Sequence, residues 1–377
     1  MFRSIKVQLK PNNRQRSLLF QCAGTARFAF NWALAQQEDN YKNGGKFISD
    51  NDLRKRLTEL KRSKFTWLYN YSNNITKQAV KDACGAYRSF FKKLTSRPKF
   101  KSRRRSRPAF HHDSLKLKVT EKYVQLEKFG MVKLAEFGRI PTDATYVNPR
   151  VTFDGLHWWI SVGVEVQTIT LDKPTSEPIG VDLGVKDLAV VSSGRVFENI
   201  NRGKTIKKTS KKLRRVQRRA SRLYAKLKIE KINEKGKNLL KVEKLINKTY
   251  QRLTNIRDNH VHQATTELVK TKPEYVVFED LNVRGMMKNK HLSRAIAQQK
   301  LSEFRRQVEY KCQRYGVTLI VANRFYPSSK LCSCCGRVKR DLKLSDRVYR
   351  CPCGNVVDRD LQAAINLREY PRLTKTV

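Results

Sequence analysis

The stretch EPIGVDLGVKDLAVVSSG, residues 177–194, sets one carboxylate, Asp182, among alternating apolar residues. Its period of two and the closing Ser-Ser-Gly turn signal predict two short strands joined tightly at residues 185–187. A buried carboxylate without a partner costs several kcal/mol. Asp182 therefore requires a partner, and a metal ion is one candidate.

The charge balance of the 377-residue chain is strongly basic, with 80 Lys and Arg against 33 Asp and Glu, a formal net charge of +47. This excess predicts a polyanionic partner, and nucleic acid is favoured over a membrane because no apolar run is long enough to span a bilayer. The length suits two or three domains. Residues 1–13 lack the apolar core of a signal peptide, so we expect a cytosolic protein in reducing conditions.

The first half of the chain alternates between strand and helix patterns. Residues 2–9 predict a strand, and residues 14–94 predict three helices, the second capped by Ser49 or Asp50. Residues 113–171 return to strand patterns with turn signals between them. We expect these strands and the first one to form a small antiparallel barrel, with the helical block inserted between them.

Two segments carry much of the positive charge. Residues 95–112 form a basic connector, and residues 204–270 predict two helices turned back at Gly236. Between residues 204 and 257 there are 20 basic and three acidic residues. A solvated linker and a solvated coiled-coil arm are the alternatives, but unneutralised like charges favour nucleic-acid contact. The predicted nucleic-acid-binding residues are Lys99, Lys101, Arg103, Arg104, Arg105, Lys207, Lys208, Lys211, Lys212, Arg214, Arg215, Arg218 and Arg219.

Further acids follow predicted strands and a predicted helix start. A nearly continuous apolar run at 275–278 predicts a central strand that ends at Glu279, and a third strand lies within 316–330. Residues 358–367 predict the start of a helix with Asp358 as a plausible N-cap. Either Asp358 or Asp360 could be the acid that this helix contributes. Converging carboxylates are what two Mg²⁺ ions require, whereas a surface ion pair or a cap is the alternative for each acid.

Five of the eight cysteines lie within residues 332–353, which in a reducing compartment predicts a metal site rather than disulfides. Cys332 and Cys335 form a C-x-x-C pair, and Cys351 and Cys353 form a C-x-C pair. Two close pairs of thiolates predict one closed, structural Zn²⁺ site. Because the C-x-C spacing is tight, Cys334 remains an alternative ligand. The scattered Cys22, Cys84 and Cys312 are predicted to be core residues.

The order of these motifs resembles the TnpB (OrfB) proteins of bacterial insertion sequences, which are compact RNA-guided nucleases related to type V CRISPR effectors. The resemblance rests on GVDLGVKDLAV, the basic hairpin, FEDLNVRGM, RFYPSSKLCSCCG, YRCPCG and DRDLQAAINL, and it extends to RFAFNWALA and SRPKFKS near the N-terminus. It covers nearly the whole chain. Its motifs are specific in combination.

This resemblance implies an α+β multidomain protein with a RuvC-like, RNase H-fold nuclease core. It implies a triad of Asp182, Glu279 and Asp360 that holds two catalytic Mg²⁺ ions, a guide RNA, and a double-stranded DNA target with a short flanking motif. Gly180 and Gly184 are then expected to leave room for a substrate backbone. Gln362 replaces the Asn usual in the family, and if that amide orients the acid, we expect weaker cleavage.

The resemblance also implies a domain order. We expect a wedge barrel from residues 1–10 and 96–172, a helical recognition domain at 11–95, a nuclease core at 173–323 containing the hairpin 204–260, a zinc module at 324–354, and the last nuclease helix with the tail at 355–377. A prokaryotic, nucleoid-associated protein is expected. The alternatives are a guided DNA-binding repressor and an unguided accessory protein in transposition.

Overall fold

The computed structural model describes residues 2–165, 176–232, 234–343 and 345–374. The chain divides into two units, Met1–Gln167 and Thr168–Val377. The predicted boundary between residues 172 and 173, and the end of the C-terminal tail, lie outside the described residues.

The first unit contains the helical block that the sequence predicts. Its helices are α1 (Asn13–Lys42), α2 (Asp50–Ser63) and α3 (Asn73–Phe91), with a short 3-10 turn at Thr66–Asn70. Ser49 is the cap of α2, because its hydroxyl accepts the backbone N–H of Asp52 at 3.2 Å. The alternative cap, Asp50, is the first helical residue.

The first unit also contains a seven-stranded antiparallel sheet. In chain order its strands are β1 (Phe2–Lys10), β2 (Ala109–His111), β3 (Lys118–Val119), β4 (Tyr123–Leu126), β5 (Gly130–Leu134), β6 (Tyr146–Phe153) and β7 (Trp158–Glu165). The spatial order is β2-β6-β7-β1-β5-β4-β3. The first strand therefore joins strands that follow the helical block, as predicted.

The strands of the predicted small antiparallel barrel form one continuous sheet with β2 and β3 at its two edges. Within residues 2–165 no backbone ladder joins β2 to β3. Side chains connect the two edges instead. The rings of Phe110 and Phe129 stack with centroids 6.3 Å apart, and the His112 ring accepts the backbone N–H of Glu127 at 2.8 Å. Burial lowers the pKa of His112, which keeps the ring neutral and able to accept.

The second unit is built on a mixed five-stranded sheet. Its strands are β8 (Ile179–Leu183), β9 (Ala189–Val191), β10 (Val196–Phe197), β11 (Tyr275–Glu279) and β12 (Thr318–Ala322), in the spatial order β10-β9-β8-β11-β12. β8 and β9 pair antiparallel, with Leu183 opposite Ala189, so the two strands predicted from residues 177–194 are confirmed. β11 runs parallel to both β8 and β12. A separate hairpin is formed by β13 (Val348–Arg350) and β14 (Val356–Asp358).

The helices of the second unit are α4 (Lys204–Ile229), α5 (Lys237–Lys270), α6 (Val283–Met286), α7 (Ser293–Gln299), α8 (Leu301–Tyr315) and α9 (Arg359–Thr374). The predicted turn between α4 and α5 is confirmed, and Gly236 is the N-cap of α5. Leu213 and Ala220 of α4 pack near Leu253 and Val242 of α5. The C-terminal part of α5 joins the main core through Val261, Ala264, Leu268 and Val269.

Gly180 makes room for a helix and not for a substrate, which corrects the expectation from the sequence. A Cβ atom on Gly180 would overlap the carbonyl oxygen of Ala364 and the amide nitrogen of Arg368 in α9. A Cβ atom on Gly184 would lie 3.2 Å from the carbonyl oxygen of Asp187, within the β8–β9 link. Both glycines are therefore accounted for by contacts inside the protein.

Candidate metal centres and basic surfaces

Asp182 and Glu279 lie on neighbouring parallel strands and face the same side of the sheet. In the β8–β11 register Val277 lies opposite Gly180, so Glu279 falls opposite Asp182 two residues later. Residues two apart in a strand share a face. Since Gly180 contacts α9, Asp182 and Glu279 face the side that α9 covers.

Asp360 reaches this face from the first turn of α9. Burial, and then the charges of Asp360 and Glu279, raise the pKa of Asp182 from 3.8 to about 7. Burial and the neighbouring Asp280 also raise the pKa of Glu279. In the described part of the chain, neither the Asp182 nor the Glu279 side chain has a hydrogen-bond or ion-pair partner. The strands and α9 thus concentrate negative charge that a bound cation would relieve.

The two acids of DRD occupy different positions. Asp358 is the N-cap of α9, because its carboxylate accepts the backbone N–H groups of Asp360 at 2.9 Å and Leu361 at 3.2 Å. Asp360 is half-buried and pairs with Arg359 at 3.1 Å. Asp360 raises the pKa of Asp182 more strongly than Asp358 does. The cap predicted at Asp358 is confirmed, whereas Asp360 as the third acid of the triad stays a prediction.

Glu279 and its neighbour Asp280 also differ. Asp280 pairs with Arg305 at 2.9 Å and with Arg324 at 2.7 Å, and these hydrogen bonds lower its pKa. Its charge is therefore neutralised within the protein. Glu279 has no such partner in the described chain, so it is the acid of this pair that remains available to a metal ion.

The four predicted thiolate ligands come together at one point. The sulfur of Cys332 lies 3.7 Å from that of Cys353, and the sulfur of Cys335 lies 3.6 Å from that of Cys351. A tetrahedral site with Zn–S bonds of about 2.3 Å places its sulfurs about 3.8 Å apart, so these distances fit zinc. Cys334, the alternative ligand, is exposed and lies outside this group.

Two tight turns build the cysteine cluster. Gly336 and Gly354 each follow a cysteine and adopt φ values of +71° and +91°, a backbone conformation that favours glycine. Their N–H groups donate to the carbonyl oxygens of Cys332 and Cys351, both at 3.0 Å. Burial raises the pKa of Cys332, but hydrogen bonds to its sulfur outweigh this and lower that pKa to about 6. At Cys332 the thiolate form is thus favoured. At Cys353 a backbone hydrogen bond lowers the pKa, but hydrogen bonds with the neighbouring cysteines outweigh it and raise that pKa to about 12.

The carboxylates are spread more widely than the cysteines. Across the described ranges, the cysteines form the one group of three or more His, Cys, Asp or Glu residues whose ligand atoms all lie within 4.8 Å of one another. Two metal ions about 3.5–4 Å apart need ligands distributed around both ions, and three acids on separate elements suit that arrangement.

In the described residues, the Gln362 amide makes no hydrogen bond to Asp360, so it does not orient that acid by direct contact. Its Nε2 donates to the carbonyl oxygen of Leu331 at 2.8 Å, and its Oε1 accepts from Ser333 at 3.1 Å and from Asn355 at 3.3 Å. These three residues flank the clustered cysteines. The amide therefore joins α9 to the cysteine cluster.

The predicted basic residues are exposed, with one exception. The ammonium of Lys101 lies 3.5 Å from the ring centroid of Phe30, and burial lowers its pKa. Its backbone also pairs with Asn31 at 2.8 Å, so Lys101 anchors the connector to α1. The exposed predicted residues are Lys99, Arg103, Arg104, Arg105, Lys207, Lys208, Lys211, Lys212, Arg214, Arg215, Arg218 and Arg219.

A groove between α4 and α5 adds further cations to the basic side of α4. It has a volume of about 490 Å³, and five cations line it together with three threonines and Leu245. Lys208, Lys212 and Arg215 belong to the predicted set, whereas Lys248 and Arg252 of α5 do not. Lys248 and Arg252 are four residues apart, and residues at this spacing lie on the same face of a helix. This spacing is the pattern that could have identified them as part of a basic face of α5. In the described residues, no helix is long and apolar enough to cross a membrane.

Comparison with known proteins agrees with these features. Residues 1–46 match a family described as "Helix-turn-helix domain" of OrfB, residues 161–290 match "Probable transposase", and residues 302–367 match "Cas12f1-like, TNB domain". The solved complex of Cas12f1 with sgRNA and target DNA resembles the chain with a TM-score of 0.60. That comparison covers 98% of both chains at 13% identity, and it shows similarity of fold.

Two curated relatives match over most of their length. A "Putative RNA-guided DNA endonuclease" of Streptomyces pristinaespiralis is 32% identical over 97% of this chain and 88% of the relative. The "Putative RNA-guided DNA endonuclease InsQ" of Escherichia coli (strain K12) is 30% identical over 92% of this chain and 87% of the relative. With this identity along nearly its whole length, the chain belongs to the TnpB (OrfB) family of insertion-sequence proteins.

Proposed function

We propose that this protein is an RNA-guided DNA endonuclease associated with transposition, and that it hydrolyses phosphodiester bonds with Mg²⁺ at a RuvC-like site. The proposal is supported by Asp182 and Glu279, which face the side of the sheet that α9 covers, and by Asp360 in the first turn of α9. Burial, and then the charge of Asp360, raise the pKa of Asp182. Among the described residues, the Asp182 and Glu279 side chains have no hydrogen-bond or ion-pair partner. The names of the curated relatives support the same activity.

Each carboxylate has its own role in this proposal. By the family resemblance, Asp182 on β8 would be a ligand shared by the two ions, and Glu279 on β11 and Asp360 on α9 would each complete one of the two sites. Two bound Mg²⁺ ions would supply an activated water and stabilise the leaving 3′-oxygen. Arg359 offsets part of the charge of Asp360 at 3.1 Å. The exposed cations of α4 and α5 hold phosphates and provide affinity that is independent of sequence.

The cysteine cluster is proposed to hold one structural Zn²⁺ ion. The sulfur separations of 3.6 and 3.7 Å support a tetrahedral site with four thiolate ligands. Such a site leaves no position for a substrate water. Its role is therefore to order residues 324–354 as a zinc module that helps to hold the target nucleic acid.

The proposed domain order follows the family. Residues 1–10 and 96–172 form the wedge domain, residues 11–95 the recognition domain, and residues 173–323 the nuclease core, with the last nuclease helix in 355–377. A guide RNA reads the target by base pairing, while the protein holds the backbones and reads a short flanking motif. We further propose a prokaryotic protein that works on the nucleoid.

The test is plasmid cleavage by purified protein that carries its copurified RNA. We expect sequenced RNA of defined origin and Mg²⁺-dependent cleavage beside a fixed flanking motif. Target binding without cleavage would favour the guided repressor. Absence of specific RNA, with binding to any nucleic acid, would favour the unguided accessory protein.

A further inference from the structure

Gln362 lies two residues after Asp360 on α9, and its side chain is fully buried. Its amide contacts three residues that surround zinc ligands: Leu331 and Ser333 lie on either side of Cys332, and Asn355 follows the second cysteine pair. Asn355 also donates to the sulfur of Cys332 at 3.4 Å. A short series of hydrogen bonds thus runs from the thiolate to the helix that carries Asp360.

Asn366 repeats this connection one helical turn later. Its Nδ2 donates to the carbonyl oxygens of Ser328 at 2.6 Å and Leu331 at 2.7 Å, and the residue is 3% exposed. Residues four apart share one face of a helix, so both amides donate hydrogen bonds to the same carbonyl oxygen, that of Leu331. A buried amide that loses its hydrogen-bond partner costs the full desolvation penalty of the unpaired group. The two amides therefore favour the position of the Leu331 segment in which their hydrogen bonds are made.

We propose that Gln362 and Asn366 are positioning residues that couple zinc binding at the cysteine cluster to metal binding at the catalytic acids. Loss of zinc frees the Leu331 segment, the two amides lose their acceptors, and the first turn of α9 no longer holds Asp360 toward Asp182. The inference rests on the proposed function of the three acids. Such a coupling is reciprocal, so metal at the acids should also slow zinc loss.

The first experiment measures zinc release from the full-length protein to a chromogenic chelator. Gln362→Leu keeps the side-chain volume and removes the three hydrogen bonds. Gln307→Leu is the matched control, because Gln307 is equally buried but contacts Thr265 and Glu303 instead. We expect zinc affinity to fall about 10- to 100-fold in Gln362→Leu, as for other residues that support metal ligands. Gln307→Leu should match the wild type, and Gln362→Asn should recover part of the loss.

The second experiment measures Mn²⁺ affinity by electron paramagnetic resonance, with and without zinc. Zinc removal should weaken Mn²⁺ binding by the wild type about 5- to 150-fold. In the double variant with Gln362→Leu and Asn366→Leu, Mn²⁺ affinity should be weak already and nearly independent of zinc. Melting curves against Gln307→Leu separate this effect from a general loss of stability.

The outcomes distinguish the coupling from the proposed function. The zinc-loaded wild type should bind Mn²⁺, and Asp182→Asn should abolish this binding. If it binds none, or if Asp182→Asn binds Mn²⁺ equally well, the proposed cleavage site is wrong and the proposed coupling is wrong as well. If Mn²⁺ binds at these acids with an affinity that ignores zinc, or if zinc removal weakens it equally in wild type and the double variant, the coupling alone is overturned.

Discussion

The carboxylate of Asp358 accepts the backbone N–H of Asp360 at 2.9 Å, so the first acid of DRD caps the helix that contains the second acid. The two residues are chemically alike, and only their positions at the start of α9 separate the helix cap from the acid proposed as a metal ligand. This difference predicts unequal effects of the same substitution.

Asp360→Ala should reduce the cleavage rate by orders of magnitude, and Asp182→Ala should do the same, because two carboxylates cannot hold two dications. Asp358→Ala should cost about 1 kcal/mol of stability through the lost cap and retain cleavage. Plasmid cleavage by each RNA-loaded variant, with guide and target binding measured in parallel, checks this. Normal cutting by Asp360→Ala and none by Asp358→Ala would reverse the assignment.

Asp182 should make the metal-free protein less stable as the pH rises. Its folded pKa of about 7 lies above the ordinary value of 3.8, so the folded state binds the extra proton between these values. The free energy of unfolding should therefore fall by a few kcal/mol between about pH 4 and pH 7, at roughly 1.4 kcal/mol per pKa unit. Above about pH 7 it should stay level.

Asp182→Asn should remove this dependence and melt at a higher temperature than wild type at pH 8, but not near pH 4. Melting curves in Mg²⁺-free buffer, with exposed Asp341→Asn as control, measure it. Added Mg²⁺ should stabilise the wild type and not Asp182→Asn. Identical pH profiles for the two proteins would contradict the burial of a strained carboxylate.

Nucleic-acid binding should depend steeply on salt. Neutralising six to ten phosphates loses on the order of 10³–10⁵ in affinity between 50 and 200 mM salt. Replacing both Lys248 and Arg252 with Ala should lower the slope of log K against log salt by about 2. Lys226→Ala is the control, because that ammonium pairs with Glu230 at 3.6 Å. An unchanged slope in the double variant would remove the α4–α5 groove from the interface.

Zinc content should separate ligands from bystanders among the clustered cysteines. Cys351→Ser should lose the metal and expose the module to proteolysis, because the metal supplies folding energy for a small closed site. Cys334→Ser should keep one zinc per chain, since its thiol lies outside the group of four. Elemental analysis of freshly purified protein decides the matter. Zinc lost from Cys334→Ser, or absent from the wild type, would count against the site.

Gly180→Ala should destabilise the protein by about 1–3 kcal/mol or more, because the added methyl group overlaps the backbone of α9. Gly85→Ala is the matched control, since a Cβ atom on Gly85 meets nothing within 4 Å in α3 and alanine favours a helix by about 1 kcal/mol. Denaturant unfolding of both variants makes the comparison. A neutral Gly180→Ala would mean that α9 packs less closely on β8.

Local patterns in the sequence were sufficient for most elements and for the grouping of the four cysteines, but they did not assign α6, α7, α8 or β2. The alternation around Asp182, the apolar spacing of α4 and α5, and the cap at Asp358 all depend on residues within a few positions of one another. The C-x-x-C and C-x-C pairs are likewise local. Such patterns can be recognised in the sequence alone, because they depend on the periodicity of the backbone and on hydrogen bonds between neighbouring residues.

Contacts between distant segments decided the rest. The space beside Gly180 is filled by Ala364, the Gln362 amide turns to Leu331, and Lys248 faces the basic side of α4. Nothing near these residues in sequence indicates which element covers them. Which element fills such a space is decided only when the sheet and the helices pack together, and so only the tertiary structure shows that α9 contacts both the segment around Cys332 and strand β8.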